Sequence, residues 1–160
     1  LLQYHALTTL LIPFSSLDRP SPLPSPIKIT QVAKYPKKAL YRSRAHSNPL
    51  NESTFPVPIS PDHYNWSEHY PELFKHNTDP ANPPRVAFAD VGCGFGGMTI
   101  KLAESYPDKL VVGMEIRDKV CEFIHQRVLA LRKMHPGQYL NAAAIKTNAM
   151  RTLPNYFHKG

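Results

Sequence analysis

Glycine is absent from the first 91 residues of this 160-residue chain, and all seven glycines lie at or after Gly92. Proline is distributed the other way, since fourteen of the seventeen prolines lie at or before Pro84. Proline lacks an amide donor and restricts the residue before it, which excludes long helices and central strands from the first half. We therefore expect arms and linkers in the first half and an α/β core in the second.

Cysteine is also scarce. Cys93 and Cys121 are the only two, and the sequence contains no Cys-x-x-Cys pair and no histidine pair at metal spacing. This scarcity argues against a disulfide scaffold and against a zinc site. We expect reduced thiols in an intracellular compartment and no metal cofactor.

The opening apolar segment, residues 1–14, is shorter than the roughly twenty residues that a membrane-spanning helix needs, and no basic region precedes it. Residues 15–27 follow as a Pro- and Ser-rich linker. We therefore expect no membrane association, and we divide the chain into three parts. These are a disordered leader of uncertain origin (1–34), a basic arm with a Pro-rich connection (35–84) and a core domain (85–160).

Acidic residues are missing from residues 28–46, which hold six Lys or Arg residues with Tyr35 and Tyr41 among them. Residues 1–51 carry seven Lys or Arg against one Asp, so most of the net charge of +7 comes from this region. Cations interleaved with aromatic rings suit contact with phosphates and stacking on bases. The arm therefore predicts a polyanionic partner, with a solvated basic linker as the alternative.

From residue 85 the sequence becomes regular. We predict strands at 86–90, 110–116 and 140–147, helices at 97–106 and 118–134, and a short helix or turn at 149–158. A short helix is also expected near 62–70, capped by Asp62 or Ser60. The order β-α-β-α-β predicts parallel strands joined by right-handed crossovers.

Helical spacing also predicts which residues the two long helices bury. The first helix has Met98, Leu102 and Tyr106 on one apolar face. The second is expected to be capped by Asp118 and to end at the His135-Pro-Gly137 sequence. Its apolar face consists of Val120, Ile124, Val128 and Leu131.

A glycine-rich turn follows the first predicted strand and fits two cofactor patterns. Gly92-x-Gly94-x-x-Gly97 matches the dinucleotide fingerprint, in which a later carboxylate such as Glu115 contacts ribose. Asp90 followed by Gly92, Gly94 and Gly96 matches the S-adenosylmethionine pattern equally well. A carboxylate at Asp90 is unfavourable beside a pyrophosphate and favourable near the ammonium group of a methionine. This favours S-adenosylmethionine, with a nicotinamide dinucleotide as the alternative.

Four residues around this turn have a binding interpretation and a structural one. Asp90 either faces the donor's ammonium group or caps the turn. Glu115 lies one crossover after the turn, which favours contact with the ribose diol over an exposed charge. Ile116 packs on adenine or fills the core, and Asn148 reads the adenine edge or forms a turn.

Five motifs, in order, resemble the catalytic subunit of the eukaryotic tRNA (guanine-N7-)-methyltransferases over residues 36–160. They are Lys37-Lys-Ala-Leu-Tyr-Arg-Ser-Arg-Ala-His-Ser-Asn-Pro49, Asp62-His-Tyr-Asn-Trp-Ser-Glu-His-Tyr-Pro71, Phe88-Ala-Asp-Val-Gly-Cys-Gly-Phe-Gly-Gly97, Gly113-Met-Glu-Ile-Arg117 and Thr147-Asn-Ala-Met150. Five ordered motifs are far more specific than a glycine turn alone.

The resemblance implies a Rossmann-like class I methyltransferase, of which this chain holds the N-terminal half of the parallel sheet, about three strands. It implies transfer of a methyl group from S-adenosyl-L-methionine to N7 of a variable-loop guanosine, the tRNA (guanine(46)-N(7))-methyltransferase reaction. The implied partners are tRNA and a non-catalytic WD-repeat subunit that forms a heterodimer with the enzyme. The implied location is the nucleus.

Matching positions assign residues to the two sites. The cofactor site is expected to contain Gly92, Glu115, Ile116, Arg117, Asn148 and Ala149, together with Asp90 and Gly94 from the turn. The segment 44–49 resembles the family's arm near tRNA and the cofactor, although it could equally be a peptide docked on the core. The residues expected to contact tRNA are Lys37, Lys38, Arg42, Arg44, His46 and Asn48.

One family feature is missing from the sequence. The Pro-Asp-Pro motif, which carries the catalytic aspartate after the fourth strand, is expected beyond Gly160, so we assign no catalytic residue within the chain. We expect an N-terminal fragment that is inactive alone. The alternatives are an NAD-dependent Rossmann oxidoreductase and a non-catalytic RNA-binding product of a truncated gene.

Overall fold

The computed structural model describes residues 34–44, 47–50, 56–79 and 81–159. All of these residues belong to one unit, Val32–Gly160. The expectations for the leader and the Pro-rich linker, and the role assigned to His46, lie outside the described residues.

Three parallel strands form the sheet in the order β1-β2-β3. They are β1 (Val86–Val91), β2 (Leu110–Glu115) and β3 (Ala142–Lys146), which confirms the three predicted strands to within two residues at each end. In the register, Asp90 pairs with Gly113 and Glu115 pairs with Lys146. Because the strands are parallel, their carboxyl ends meet at one edge, where a ligand site is expected.

Two crossover helices, α2 (Gly97–Ser105) and α3 (Asp118–Met134), pack in one core cluster with residues of β2 and β3. The apolar face predicted for α3 is confirmed, and the helix ends at Met134 with His135 as its C-cap, as expected. The predicted cap is wrong, because Arg117 is the N-cap and Asp118 is the first helical residue. The Asp118 carboxylate instead forms an ion pair with Lys146 at the end of β3.

The apolar face predicted for α2 is wrong except at Leu102, which packs against the core. Its buried residues are Thr99, Ile100 and Ala103, whereas Met98 and Tyr106 are 61% and 47% exposed. The cause is a close approach between α2 and the sheet. A Cβ at Gly113 of β2 would lie only 2.8 Å from the Thr99 hydroxyl, so small side chains face the sheet here.

The opposite face of β2 and β3 is covered by irregular chain. This layer contains 3-10 helices at Pro61–His63 and Trp66–Glu68 and the short helix α1 (Pro71–Lys75), so the predicted single helix near 62–70 is two 3-10 turns. Ser60 is the N-cap of the first turn, but its hydroxyl bonds to His63 and not to a backbone amide. After β3 the chain forms α4 (Ala149–Thr152) and a 3-10 helix at Leu153–Asn155, as expected near Pro154.

Two side chains, one buried and one partly buried, connect this layer to the sheet and to α3. Tyr70 is fully buried, and its hydroxyl donates to the Val111 carbonyl at 3.0 Å. The Arg132 guanidinium of α3 donates to the carbonyls of Tyr139, Leu140 and Ala142 and to that of His69 in the covering layer. These bonds supply donors to carbonyls of the sheet and of the covering layer, which fixes the layer in place.

β1 is an edge strand of the sheet that the described residues form. Alternate residues of the strand, Ala87, Ala89 and Val91, are exposed, and Val91 is 56% exposed. The irregular layer that covers β2 and β3 therefore leaves this side of β1 open. An edge of this kind presents backbone donors and acceptors that another strand could pair with.

Candidate functional site

The glycine turn connects β1 to α2 and is bonded to β2. The amides of Gly92 and Cys93 both donate to the Met114 carbonyl, at 2.8 and 3.2 Å. Gly96 has a φ of +71°, and a Cβ there would lie 2.9 Å from Cγ2 of Ile124. Glycine is thus required at Gly96 by both its backbone conformation and its contact with α3.

Helix α3 also contacts the turn through a cation. Arg127 donates from Nη1 to the Phe95 carbonyl at 3.0 Å, and the Phe95 ring packs edge-on against Phe123 at a centroid distance of 5.0 Å. Sequence reasoning missed this role for Arg127. The contact joins residues 32 positions apart, and no local pattern indicates it.

Asp90 lies near the carboxyl end of β1 and is oriented by α2. The Thr99 hydroxyl donates to Asp90 Oδ2 at 2.7 Å. Thr99 is fully buried, so its hydroxyl needs a partner, and the carboxylate supplies one. Thr99 was also missed from the sequence, because the inward face of α2 was wrongly assigned.

Glu115 ends β2 and is 3% exposed. Its Oε1 accepts bonds from the amides of Ile116 and Arg117 and from Arg117 Nε, each at 3.0 Å. Its Oε2 accepts bonds from the Gly94 amide and from Arg117 Nη2, both at 3.0 Å. The carboxylate therefore joins the glycine turn to the end of β2.

These bonds decide the charge of Glu115. Burial acts to raise the pKa of the carboxyl, but the side-chain and backbone bonds from Arg117, its charge and the Gly94 amide outweigh burial and lower that pKa. The pKa of Arg117 is raised, chiefly by its bond to Glu115. Both groups are thus ionised at neutral pH, and the carboxylate is purely a hydrogen-bond acceptor.

Asn148 follows β3 and is buried. Its Nδ2 donates to the Pro49 carbonyl at 2.6 Å. Ala149, the next residue, begins α4 and packs beside the core of the covering layer. Ile116 is partly buried next to Glu115. The eight residues predicted for the cofactor thus belong to the strand ends, the glycine turn or the residues that follow them.

The basic arm lies near the carboxyl ends of the three strands, where the predicted cofactor residues are. Its 3-10 helix, Lys38–Tyr41, packs on α3 through an edge-on contact of 5.4 Å between the rings of Tyr41 and Phe123. Lys38 Nζ lies 5.3 Å from the centroid of the Phe95 ring. The Arg44 carbonyl accepts a bond of 3.4 Å from Arg117, and Pro49 contacts Asn148 as above. The arm is therefore docked on the core beside the predicted cofactor residues.

Five of the six residues predicted to contact tRNA remain accessible in this docked arm, and the sixth, His46, lies outside the described residues. Lys37, Lys38, Arg42, Arg44 and Asn48 are exposed. The two interpretations of the arm, a docked peptide and a tRNA-facing segment, are therefore compatible. The Tyr41 ring and the carbonyls of Arg44 and Pro49 contact the core, while the basic residues, including Lys38 over the Phe95 ring, stay exposed.

Cys93 lies within the turn but is unsuited to nucleophilic catalysis. Its thiol is buried, and burial, together with the charges of Asp90 and Glu115, raises its pKa far above neutrality. Burial likewise raises the pKa of the Cys121 thiol to about 12. Because the thiolate is the reactive form, neither cysteine is a candidate nucleophile.

A cavity of about 640 Å³ lies elsewhere, at the amino end of β1. Its lining includes Trp66, Arg85, Val86 and Phe157 and none of the predicted site residues. At the carboxyl end, the Arg117 side chain and the arm occupy space next to Glu115 and Asn148. We place the candidate site at the carboxyl end, because the predicted charged and polar groups converge there and not at the cavity.

Metal clusters and membrane-spanning helices are both absent from the described part of the chain. Among residues 34–44, 47–50, 56–79 and 81–159, no group of three or more His, Cys, Asp or Glu side chains is placed to hold a metal ion. Within the same ranges, no helix has the length and apolar character needed to cross a membrane.

Comparison with known proteins identifies relatives of this chain. Residues 84–160 fit the family model described as "Putative methyltransferase". The chain is 51% identical over 131 residues to a tRNA (guanine-N(7)-)-methyltransferase of Oryza sativa subsp. indica, covering 79% of this chain and 51% of the relative. Proteins of the same name from Culex quinquefasciatus and Danio rerio are 53% and 44% identical, and the matches cover 80% and 78% of this chain and 50% and 52% of those proteins.

The chain thus spans about half the length of the curated relatives that it matches. Its three parallel strands and crossover helices form the Rossmann-like arrangement expected of a methyltransferase. On this sequence similarity and this fold, the chain is a homologue of tRNA (guanine-N(7)-)-methyltransferases over about 130 of its 160 residues.

Proposed function

We propose that residues 85–160 form the S-adenosylmethionine half of an enzyme that methylates N7 of guanosine 46 in the variable loop of tRNA. The observation that carries this proposal is the convergence of Asp90, Glu115 and Asn148 around the glycine turn, at the carboxyl ends of three parallel strands. The names of the relatives support the choice of tRNA as substrate.

The residues at this edge fit the proposed donor. A Cβ placed at Gly92 or Gly97 would meet nothing within 4 Å, so there is open space beside the turn for a ligand. Glu115 supplies an ionised acceptor suited to a ribose diol, and Asp90 supplies a carboxylate suited to an ammonium group. Ile116 and Ala149 supply apolar surface, and Asn148 an amide, for the adenine ring.

The reaction needs positioning more than proton transfer. Guanine N7 carries an in-plane lone pair and loses no proton when it is methylated. S-adenosylmethionine, when bound, supplies an electrophilic methyl group. The residues of this chain hold the donor in place, and the docked arm, bonded to Arg117 and Asn148, helps to exclude water from it.

The product base is cationic, so a carboxylate near the base would stabilise the charge that develops in the transition state. Asp90 and Glu115 are engaged in donor binding in this proposal, and we place the stabilising carboxylate in the sequence that follows Gly160. Residues 1–160 alone are therefore expected to transfer no methyl group. A measurable transfer rate with residues 1–160 would overturn this part of the proposal.

The basic arm supplies the tRNA contact. In the proposal Lys37, Lys38, Arg42 and Arg44 contact the phosphate backbone, and His46 and Asn48 approach the substrate near the donor. The support is their position, since the described arm residues are exposed next to the carboxyl edge of the sheet.

Two further proposals rest on the resemblance alone. A WD-repeat subunit joins the enzyme as a heterodimer, and the enzyme acts in the nucleus. We expect the tagged full-length protein to copurify with one stoichiometric WD-repeat protein. We also expect a fluorescent fusion of the full-length protein to be located in the nucleus. Purification as an active monomer, or exclusion from the nucleus, would contradict these proposals.

Calorimetry tests the donor assignment. We expect the full-length protein to bind S-adenosylhomocysteine and not NADH, because Asp90 disfavours a pyrophosphate beside the turn. Glu115→Gln is expected to weaken S-adenosylhomocysteine binding about tenfold or more, because the diol loses a charged acceptor.

The control is Glu104→Gln, which changes an exposed carboxylate on α2 that pairs with Lys101. This variant is expected to bind like the natural protein. NADH binding without S-adenosylhomocysteine binding would favour the oxidoreductase alternative.

A further inference from the structure

Arg117 bonds to Glu115 with the same two-donor geometry that the two hydroxyls of a bound ribose would use. Arg117 Nε donates to Oε1 and Nη2 donates to Oε2, each at 3.0 Å. Two neighbouring N–H groups thus point in parallel at the two oxygens of one carboxylate. A ribose presents its two neighbouring hydroxyls to a carboxylate in the same way. The arginine fork therefore occupies the acceptor positions that a nucleoside would use.

The carboxylate has no capacity for both partners. Besides the fork, it accepts the amides of Gly94, Ile116 and Arg117, which gives five donors in all. An ionised carboxylate offers about four lone-pair sites. A diol can bond to Glu115 only if the Arg117 side chain gives up its positions.

Burial strengthens the ion pair between Arg117 and Glu115, so this pair competes with a ligand for the carboxylate. The side chains of Glu115 and Arg117 are 3% and 18% exposed, so water screens the pair weakly. Breaking the fork without a replacement would leave a buried charge, which is costly. A diol replaces the two hydrogen bonds but not the positive charge, so the exchange lowers the net affinity for the donor.

We propose that Arg117 fills the ribose position of the donor site in the ligand-free protein and leaves it when a ribonucleoside binds. Arg117 then sets donor affinity and favours ligands that carry both hydroxyls, because only these replace both bonds of the fork. The inference rests on the proposed function, since it requires Glu115 to be the ribose acceptor. The Arg44 carbonyl, 3.4 Å from Nη1, remains a partner for the guanidinium outside these positions.

The test is calorimetric titration of the full-length protein with S-adenosylhomocysteine. Arg117→Met is expected to bind it about tenfold more tightly than the natural protein, because the loss of two charged hydrogen bonds to the carboxylate removes the competitor. Arg117→Lys keeps the charge without the fork, and it is expected to give part of this gain. Lys119→Met, an exposed cation two residues further on, is the matched control and is expected to change nothing.

Three further measurements separate competition from a purely structural role. Without ligand, Arg117→Met is expected to unfold at a lower temperature than the natural protein, although its affinity for S-adenosylhomocysteine is higher. A structural defect would lower both the unfolding temperature and the affinity. In a Glu115→Gln background, Arg117→Met is expected to give no gain. With the 2′-deoxy analogue, the gain is expected to be larger, because the natural protein disfavours a ligand that replaces only one bond of the fork.

The outcomes distinguish the inference from the proposed function. If the natural protein binds S-adenosylhomocysteine, and Arg117→Met and Arg117→Lys bind it equally well or more weakly, the competition is overturned while the donor site stands. If neither the natural protein nor any variant binds S-adenosylhomocysteine, the donor site itself is wrong, and the inference fails with it.

Discussion

At the scale of single residues, the glycine turn shows why a sequence pattern predicts a site only in part. The pattern alone identifies Asp90, Gly92, Gly94 and Glu115, because acids and glycines at this spacing have a known use. It does not identify Thr99, which orients Asp90, because the bond depends on how closely α2 approaches the sheet.

Gly96 gives a residue-scale prediction. Gly96→Ala is expected to lower the free energy of unfolding by about 1–3 kcal/mol, because alanine disfavours a positive φ and its Cβ would press on Ile124. The measurement is urea denaturation of the full-length protein.

The matched control is Gly97→Ala, one residue further on in the first turn of α2. A Cβ there meets nothing within 4 Å and the φ is not positive, so the expected change in unfolding free energy is within about 0.5 kcal/mol. Equal destabilisation by the two substitutions would show that the contact with Ile124 is unimportant.

At the scale of elements, the two crossover helices differ in how far the sequence predicts them. The buried face of α3 follows from apolar spacing, and Val120, Ile124, Val128 and Leu131 are all buried. The buried face of α2 does not, because Gly113 allows the helix so near the sheet that Thr99, Ile100 and Ala103 face inward. Periodicity locates the largest apolar side chains, whereas close packing selects small ones.

The arm carries the element-scale prediction. Lys37 and Arg42 are exposed on either side of the docked 3-10 helix. Replacing both with alanine is expected to weaken tRNA binding and to reduce the slope of log affinity against log salt by about two, one for each lost phosphate contact.

The measurement is tRNA binding by the full-length protein across a range of salt concentrations. Lys133→Ala, an exposed cation near the end of α3, is the control and is expected to leave the slope unchanged. An unchanged slope in the arm variant would mean that the arm only docks on the core.

At the scale of the whole molecule, the parallel sheet and the family resemblance were predictable, and the docking of the arm on the core was not. Parallel strands follow from the β-α-β-α-β order, and the five motifs indicated the family that the relatives share. The bond from Asn148 to Pro49 joins residues 99 positions apart and has no local signal. Contacts of this range depend on the folded chain as a whole.

The most direct test of the central claim is methyl transfer by the full-length protein from labelled S-adenosylmethionine to a tRNA transcript, with the modified base identified by mass spectrometry. The expected result is 7-methylguanosine at one variable-loop position, with a rate reduced about tenfold or more by Glu115→Gln and unchanged by Glu104→Gln. Methylation of another base, or an unchanged rate with Glu115→Gln, would contradict the account.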